Sequence, residues 1–268
     1  MKSVKSVVNR SQTPNDFGIQ DEFSGIAHHF PDPFRLLIRE TADSTNDDLS
    51  SLACGGAADG LVLLALRQTA GRGRRGAVWF SPPGESLALS ILVRPQEPKA
   101  LWPRLALATG LAIAEAVESF GPPTGIKWPN DVWIGRRKIA GILVEAGPDF
   151  AIIGIGLNVH TTDFPPEVSE IATSLSLETG LQIPRAEVLA AVVRRFAIRR
   201  NQIGSEFTDL LNAVRQRCVL TDHRVSLSTS SGLKQGTVEG IAQGGELLLR
   251  TDHGLECLIQ ADEVRILD

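Results

Sequence analysis

The sequence predicts an α+β fold in which a mostly antiparallel sheet is backed by helices and followed by a small C-terminal β-barrel. Three observations predict it. β-rich segments follow one another through short polar turns, which favours antiparallel neighbours. Apolar residues recur at helical spacing over residues 101–121. After Cys218 the chain breaks into four or five short strands separated by glycines, which is typical of a small barrel.

The first half of the chain combines strands with one short helix. Residues 34–40 are strand-like, and residues 43–56 offer polar capping residues, a short helix and a paired-glycine stop. The apolar run 61–66 predicts a buried strand, and 86–93 predicts another. The sequence GRGRRG at 71–76 therefore lies in a loop that joins strand to strand.

The second half begins with the helix over 101–121, which ends at Gly121 and two prolines. Three β-rich segments follow it, at 125–134, 137–146 and 150–159. Pro184 then opens a helical region that reaches about Arg217, with an interruption near Gly204.

These elements divide the chain into three parts. Residues 1–33 are predicted to be a mobile tail that ends at two prolines. Residues 34–219 are predicted to form the domain that carries the functional site. Residues 220–268 are predicted to form the barrel, docked on the main domain because so short a segment buries too little surface to be stable alone.

Composition limits the functional classes. The formal net charge is −4, so the molecule as a whole does not attract a polyanion and any phosphate-binding surface must be local. Three widely spaced cysteines argue against a disulfide framework and a zinc knuckle, and favour the reducing cytoplasm. The sequence has no signal-peptide pattern and no run of the roughly 18 apolar residues that a membrane span needs.

The glycines of GRGRRG spell a dinucleotide-binding fingerprint, but the surrounding sequence disagrees with one. That fingerprint needs its last glycine to open a helix, whereas prolines at 82 and 83 and a strand follow here. An RNA clamp would need more basic residues interleaved with exposed aromatics. A solvated charged turn stays open as an alternative. Against it, the glycines leave the backbone free to wrap an anion, and three guanidiniums supply forked donors.

Three other polar motifs lie at the ends of predicted strands. DSTN at 43–46 lies where a strand meets a helix, so its side chains either bind a ligand or cap the helix. KWPND at 127–131 is either a site or an ordinary hairpin turn, although a turn does not explain its Lys-Trp start. GIGLN at 154–158 invites close backbone approach by a ligand, or else forms a bulge with a capping asparagine.

Taken in order, DSTN, GRGRRG followed by WFSPPGESLALSI, KWPNDVWI with RKIAGILVE, and IGIGLNV resemble the motifs of biotin protein ligases. The resemblance extends from about residue 36 to the C-terminus, where GTVEGIAQGGELLL is similar to the family's SH3-like barrel. It implies a class II synthetase-like fold and a two-step reaction. ATP, with Mg²⁺, activates biotin as biotinyl-5′-AMP, and a carrier lysine then takes up the biotinyl group.

The resemblance also implies the site residues, position by position. Biotin is expected to contact Ser44, Thr45, Asn46, Gln68, Arg72, Gly73, Arg74, Lys127 and Gly141. ATP is expected to contact Arg74, Arg75, Trp79, Asn130, Asp131, Lys138 and Asn158. Lys127, Arg72 and Arg74 are assigned the catalytic role, because positive charge must hold two anions together. Mg²⁺ is expected to arrive with ATP rather than in a protein site of its own, with Asp131 as its one candidate contact.

The expected partner is a biotin carboxyl carrier domain of a carboxylase. Only 43 residues precede Ser44, so we expect a form without an N-terminal DNA-binding domain and without specific DNA binding. A monomer and a homodimer formed through sheet edges both fit. Two alternatives remain: a lipoate-protein ligase, and a catalytically silent biotin-binding relative. The combination of GRGRRG with KWPND favours biotin over lipoate, and the intact Lys127 and arginines argue against loss of catalysis.

Overall fold

A seven-stranded sheet is the frame of the larger part of the molecule in the computed structural model, which describes residues 22–229 and 232–267. Its strands are β1 (Arg35–Ala42), β2 (Leu61–Gln68), β3 (Ser86–Val93), β4 (Gly125–Lys127), β5 (Asp131–Ile134), β6 (Arg137–Ala146) and β7 (Ala151–Asn158). They lie in the order β1-β2-β3-β7-β6-β5-β4. β1 and β2 are parallel, and the five other neighbouring pairs are antiparallel. The predicted mostly antiparallel sheet is confirmed.

Helices cover both faces of this sheet. They are α1 (Thr45–Cys54), α2 (Arg104–Glu118), α3 (Leu175–Thr179), α4 (Arg185–Arg199) and α5 (Phe207–Gln216). Side chains alternate along a strand, so Leu63 packs with Leu49 of α1 while Leu64 packs in the main core. That main core holds the buried face of α2 and the apolar side of α4. No helix of the described residues is both long and apolar enough to cross a membrane.

A second sheet of five strands forms the C-terminal barrel. Its strands are β8 (Arg224–Thr229), β9 (Gly232–Ile241), β10 (Leu247–Thr251), β11 (Gly254–Leu258) and β12 (Glu263–Ile266), in the order β11-β10-β9-β8-β12. Leu227 and Leu249 belong to the same buried cluster as the main core. Trp128 Nε1 also donates a hydrogen bond to the Gly245 carbonyl at 3.0 Å. One core therefore extends across residue 220, and the division of the chain there stays a prediction.

The predicted tail differs from the structure over its last residues. Residues 1–21 lie outside the described range. Phe23 and Phe30 are buried in the main core, and Glu22 is ion-paired with Arg185 at the start of α4. Two aromatic side chains supply enough apolar surface to fix this segment on the helices.

The β-rich segment 125–134 consists of two strands, β4 and β5, with a turn at residues 128–130, as the hairpin interpretation of KWPND predicts. The short helix α3 was not predicted, because five residues carry too little periodicity to be recognised. The interruption predicted near Gly204 is present between α4 and α5, which a 3₁₀ turn at Arg200–Ile203 joins.

Candidate active site

A cleft of about 210 Å³ opens on the face of the sheet that also carries α1. Its floor is made by glycines of β6 and β7, with Gly141 directly opposite Gly156 in the register. The indole of Trp79 lies against this floor. A Cβ at Gly156 would come 2.1 Å from Trp79 Cε2, so the glycine is required for this approach.

The start of α1 forms one wall of the cleft. Ser44 precedes the helix, but its side chain makes no capping hydrogen bond, so the simple capping interpretation of DSTN does not hold. Gln68 Oε1 accepts from the Thr45 amide at 3.0 Å and lies 3.2 Å from Thr45 Oγ1. Asn46 packs against the sheet, where a Cβ at Gly154 would lie 2.5 Å from its Oδ1. The wall is therefore a set of buried polar side chains held by partners in the sheet.

The arginine loop forms the opposite wall. Arg72 makes a two-pronged ion pair with Asp47 and a longer one with Glu145 at 3.3 Å. The hydrogen bond to Asp47 holds the pKa of Arg72 above its ordinary value, and the same bond lowers the pKa of Asp47. Arg72 also bridges to Val78 as an isolated β-pair, which narrows the loop at its base.

The tip of the loop contacts the C-terminal barrel. Arg74 donates to the Ala261 carbonyl at 2.7 Å, and Arg75 is ion-paired with Asp262. Burial lowers the pKa of Arg74, although a guanidinium remains protonated at neutral pH. Arg75 has a left-handed backbone with φ of 54°, which lets the loop turn towards the barrel. The cleft is thus closed by both parts of the molecule.

The KWPND turn brings a group of charges beside the cleft. Lys127 lies opposite Asp131 in the register of β4 and β5. Asp131 forms an ion pair with Lys138, with 2.7 Å between Oδ1 and Nζ. Lys127 Nζ lies 4.5 Å from the centre of the Trp133 ring. Burial lowers the pKa of Lys127, and the nearby Asp131 carboxylate opposes this. Asn130 is fixed by a hydrogen bond to the Ile142 carbonyl at 2.8 Å.

A family model and two sequence relatives all connect this chain with biotin ligases. A sequence model of the Biotin/lipoate A/B protein ligase family matches residues 38–158. The chain is 39% identical to the biotin--[acetyl-CoA-carboxylase] ligase of Mycobacterium tuberculosis, over 84% of this chain and 83% of that protein. It is 33% identical to the bifunctional ligase/repressor BirA of Bacillus subtilis, over 97% of this chain and 80% of that protein. The chain belongs to the biotin protein ligase family.

The fold comparison supports the same family. A solved structure of the biotin protein ligase from Aquifex aeolicus, in complex with biotin and ATP, matches with a TM-score of 0.79 and 31% identity. The match covers 87% of this chain and 99% of that one. This is consistent with the biotin ligase-like fold that the sequence motifs implied.

Most of the site residues predicted for this ligase lie together in the cleft. The lining includes Ser44, Thr45, Asn46, Gln68, Arg72, Gly73, Arg74, Trp79, Asn130, Asp131, Lys138 and Gly141. Three predicted residues are outside the lining. Lys127 is opposite Asp131 in the register of β4 and β5, and Arg75 is ion-paired with Asp262 of the barrel. Asn158 is buried, and its amide donates to the Thr173 carbonyl at 3.0 Å. The roles of all these residues remain predictions.

Three residues of the ligase that support the cleft were missed from the sequence. Ser90 is fully buried in β3 and lies within hydrogen-bond distance of both Thr45 and Asn46. Glu145 accepts a hydrogen bond from Asn46, and Asp47 holds Arg72. The available signals were a serine in the middle of the apolar residues of β3 and an acid one residue before the end of β6. Over the described residues, no group of three His, Cys, Asp or Glu side chains could hold a metal ion.

Proposed function

We propose that this chain is an ATP-dependent biotin protein ligase whose cleft forms and protects biotinyl-5′-AMP. One observation carries the assignment of the site. The polar wall at the start of α1 and the arginine loop, distant in sequence, line a single cleft. Such a cleft offers hydrogen-bond partners for a polar ring at one side and cations for two anions at the other.

The reaction has two balanced steps. In the first, a carboxylate oxygen of biotin attacks the α-phosphorus of ATP, and pyrophosphate leaves with the electrons of the broken P–O bond. In the second, the amine of a carrier lysine attacks the acyl carbon and loses a proton, and AMP leaves. Both carboxylate and phosphate are anionic, so the first step needs fixed positive charge in a site that excludes water.

The chain offers cations for this purpose at two places. We assign Arg72 and Arg74 to biotin and the adenylate, because their loop lies over the glycine floor. We assign Lys127 to the activated carboxylate, with Lys138, Asn130 and Asp131 towards ATP and its Mg²⁺. Lys127 is not in the cleft lining of this structure, so its assignment requires that its flexible stem reach past Asp131 once ligand binds.

A transfer assay tests the function and its nearest alternative. Labelled biotin and labelled lipoate are each offered with ATP and purified carrier domains of a biotin-dependent carboxylase and of a lipoate-dependent complex. We expect ATP-dependent labelling of the biotin carrier alone. Transfer of lipoate alone would establish the rival ligase, and biotin binding without pyrophosphate release would establish a silent relative.

We propose the cytoplasm as the location and the carrier domain as the macromolecular partner. We also propose that the chain binds no specific DNA sequence, which the net charge of −4 supports. This matters because one relative, from Bacillus subtilis, is named a bifunctional ligase/repressor. A gel shift that finds salt-resistant, sequence-specific binding would contradict this part of the proposal.

A further inference from the structure

Ser90, Thr45, Asn46, Gln68 and Glu145 form a continuous polar network beneath one wall of the cleft. Asn46 is its centre. Its Nδ2 donates to Glu145 Oε2 at 2.5 Å, and its Oδ1 lies 2.6 Å from Ser90 Oγ. Ser90 Oγ also lies 2.7 Å from Thr45 Oγ1, which in turn lies 3.2 Å from Gln68 Oε1. Thr45 and Asn46 are both 4% exposed, so no bulk water compensates for a wrong proton position.

The number of protons in this network allows two arrangements. Each hydroxyl has one proton to donate. In the first arrangement, Ser90 donates to Asn46 Oδ1, and Thr45 donates its one proton either to Ser90 or to Gln68 Oε1. In the second, the Asn46 amide is turned over and donates to Ser90, Ser90 donates to Thr45, and Thr45 donates to Gln68. The oxygen and nitrogen of an asparagine amide are nearly the same size, so packing does not favour either orientation of Asn46.

The negative charge of Glu145 favours one of the two hydrogen-bond arrangements over the other. Its carboxylate can only accept, so turning Asn46 over would place the Asn46 Oδ1 against a carboxylate oxygen. The first arrangement is thereby selected. It leaves the second Nδ2 proton of Asn46 available as a donor. The Thr45 hydroxyl can still donate its one proton either to Ser90 or to Gln68 Oε1, so Glu145 fixes the direction of the Asn46 amide and not that of Thr45. Asn46 lines the cleft.

We propose that Glu145 is a positioning residue that orients the Asn46 amide, so that its N–H donor faces the ring of biotin. This inference rests on the proposed function, because it assumes that the cleft wall receives a ureido group. That group carries a carbonyl acceptor, which a fixed N–H donor at Asn46 complements. Glu145 needs no contact with biotin to do this.

The first test replaces the charge and keeps the shape. We expect Glu145→Gln to raise the Kd for biotin, measured by calorimetry without ATP, about tenfold, since a hydrogen bond to a charged group is worth roughly 1.5–3 kcal/mol. At saturating biotin, kcat for pyrophosphate release should change less than about threefold, because the lost orientation is recovered on binding. The variant also removes the longer ion pair between Glu145 and Arg72, but it does not alter Asp47, the other ion-pair partner of Arg72. Glu239→Gln, which removes an exposed carboxylate from a pair with Arg250 in the barrel, is the matched control and should change neither quantity.

A double-mutant cycle shows whether Ser90 and Glu145 act together by orienting the Asn46 amide or contribute independently to biotin binding. Ser90 and Glu145 act on the same amide from opposite sides. We expect Ser90→Ala to weaken biotin binding about tenfold, and the double variant with Glu145→Gln to be no weaker than about tenfold, because both changes release the same constraint. Thermal unfolding of each variant checks that the fold is retained.

The outcomes are distinct. Wild-type affinity in Glu145→Gln would overturn the inference, and so would a double variant weakened about a hundredfold, the product expected of independent contacts. A loss of kcat with unchanged Kd would also overturn it. Failure of the wild-type protein to bind biotin would instead contradict the proposed function, and this inference with it.

Discussion

Lys127 is the residue at which stability and function are expected to conflict. Burial lowers the pKa of its ammonium, so the folded state disfavours the cation that the first step needs. We expect Lys127→Met to abolish pyrophosphate release and to raise the midpoint of thermal unfolding near neutral pH, because methionine keeps the stem without the buried charge. Lys99→Met, at an exposed lysine, is the control and should leave activity intact.

The sign of the pH dependence follows from the direction of that shift. The folded pKa of Lys127 lies below its ordinary value of 10.5, so the charged form costs stability at pH values below the folded pKa. That cost disappears as the pH rises from the folded pKa towards 10.5. The stabilisation of Lys127→Met should therefore shrink in alkaline buffer. A stabilisation that grew with pH would contradict the lowered pKa of Lys127. Near-normal pyrophosphate release would contradict its assigned catalytic role.

Gly156 tests the floor of the cleft. Alanine would place a Cβ 2.1 Å from Trp79 Cε2, so the indole must move off the sheet. We expect Gly156→Ala to lower the free energy of unfolding by about 1–3 kcal/mol, the usual cost of overpacking, and to weaken ATP binding. Gly110→Ala in α2 would meet ordinary contacts at 3.6 Å and should not reduce stability. Equal affinity for ATP in both variants would show that Trp79 does not contribute to the nucleotide site.

Some residues of the site can be predicted from the sequence, and others cannot. The polar residues of DSTN and the arginines of GRGRRG could be proposed as site residues because their motifs resemble those of biotin protein ligases, and they line one cleft. Ser90 could not, because its neighbours in β3 are apolar and a buried serine has a role only through partners that are distant in sequence. Its partner Asn46 is 44 residues away. Such pairings follow from strand order, which one sequence does not determine.

The arginine loop is the element whose mobility should matter most. Three glycines make its ordering costly, and its closed form is held by Asp47, Glu145 and the barrel. We predict that biotin with ATP increases the protection of amides over 71–84 in hydrogen exchange, because bound anions add to those contacts. Equal protection with and without ligands would contradict a closing loop.

Asp262 tests the contact between that loop and the barrel. Its ion pair with Arg75 is partly exposed, and such pairs contribute at most about 1 kcal/mol. We expect Asp262→Asn to shorten the lifetime of bound biotinyl-5′-AMP by up to about fivefold, measured as AMP formed without carrier. Glu263→Gln, which alters the adjacent acid and its pair with Arg265, should retain the wild-type lifetime. Similar leakage from both variants would show that the Arg75 pair is not what closes the loop.

Helices and strands were predictable where a continuous run of residues carries the pattern. The observed bounds of β3 and β6 are those predicted, since each is an uninterrupted β-rich run between turn residues. The segment 22–33 was predicted as tail because it has no periodicity, yet it is fixed by Phe23 and Phe30 in the core. Two anchoring aromatics leave no periodic signal, so tertiary packing alone decides the conformation there.

At the scale of the whole molecule, the shared core predicts that the barrel and the main domain unfold together. Leu249 of β10 is fully buried in the cluster that also contains α2. We expect Leu249→Ala to lower the free energy of unfolding by about 2–5 kcal/mol. Because unfolding should be a single cooperative transition, the variant should shift two probes equally: tryptophan fluorescence, which reports on the main domain, and amide hydrogen exchange of β8–β12, which reports on the barrel. Separate shifts would show that the barrel is an independent unit.

The same coupling predicts a consequence for the site. Since the loop 259–262 of the barrel contacts the arginine loop, biotin and ATP binding should raise the unfolding midpoint of the whole chain and not of the main domain alone. The measurement is urea unfolding of Leu249→Ala with and without saturating ligands, followed by both probes. We expect the two midpoints to rise together. A ligand effect confined to the fluorescence transition would show that the barrel contributes nothing to closure of the cleft, and would restrict the ligand site to the seven-stranded sheet.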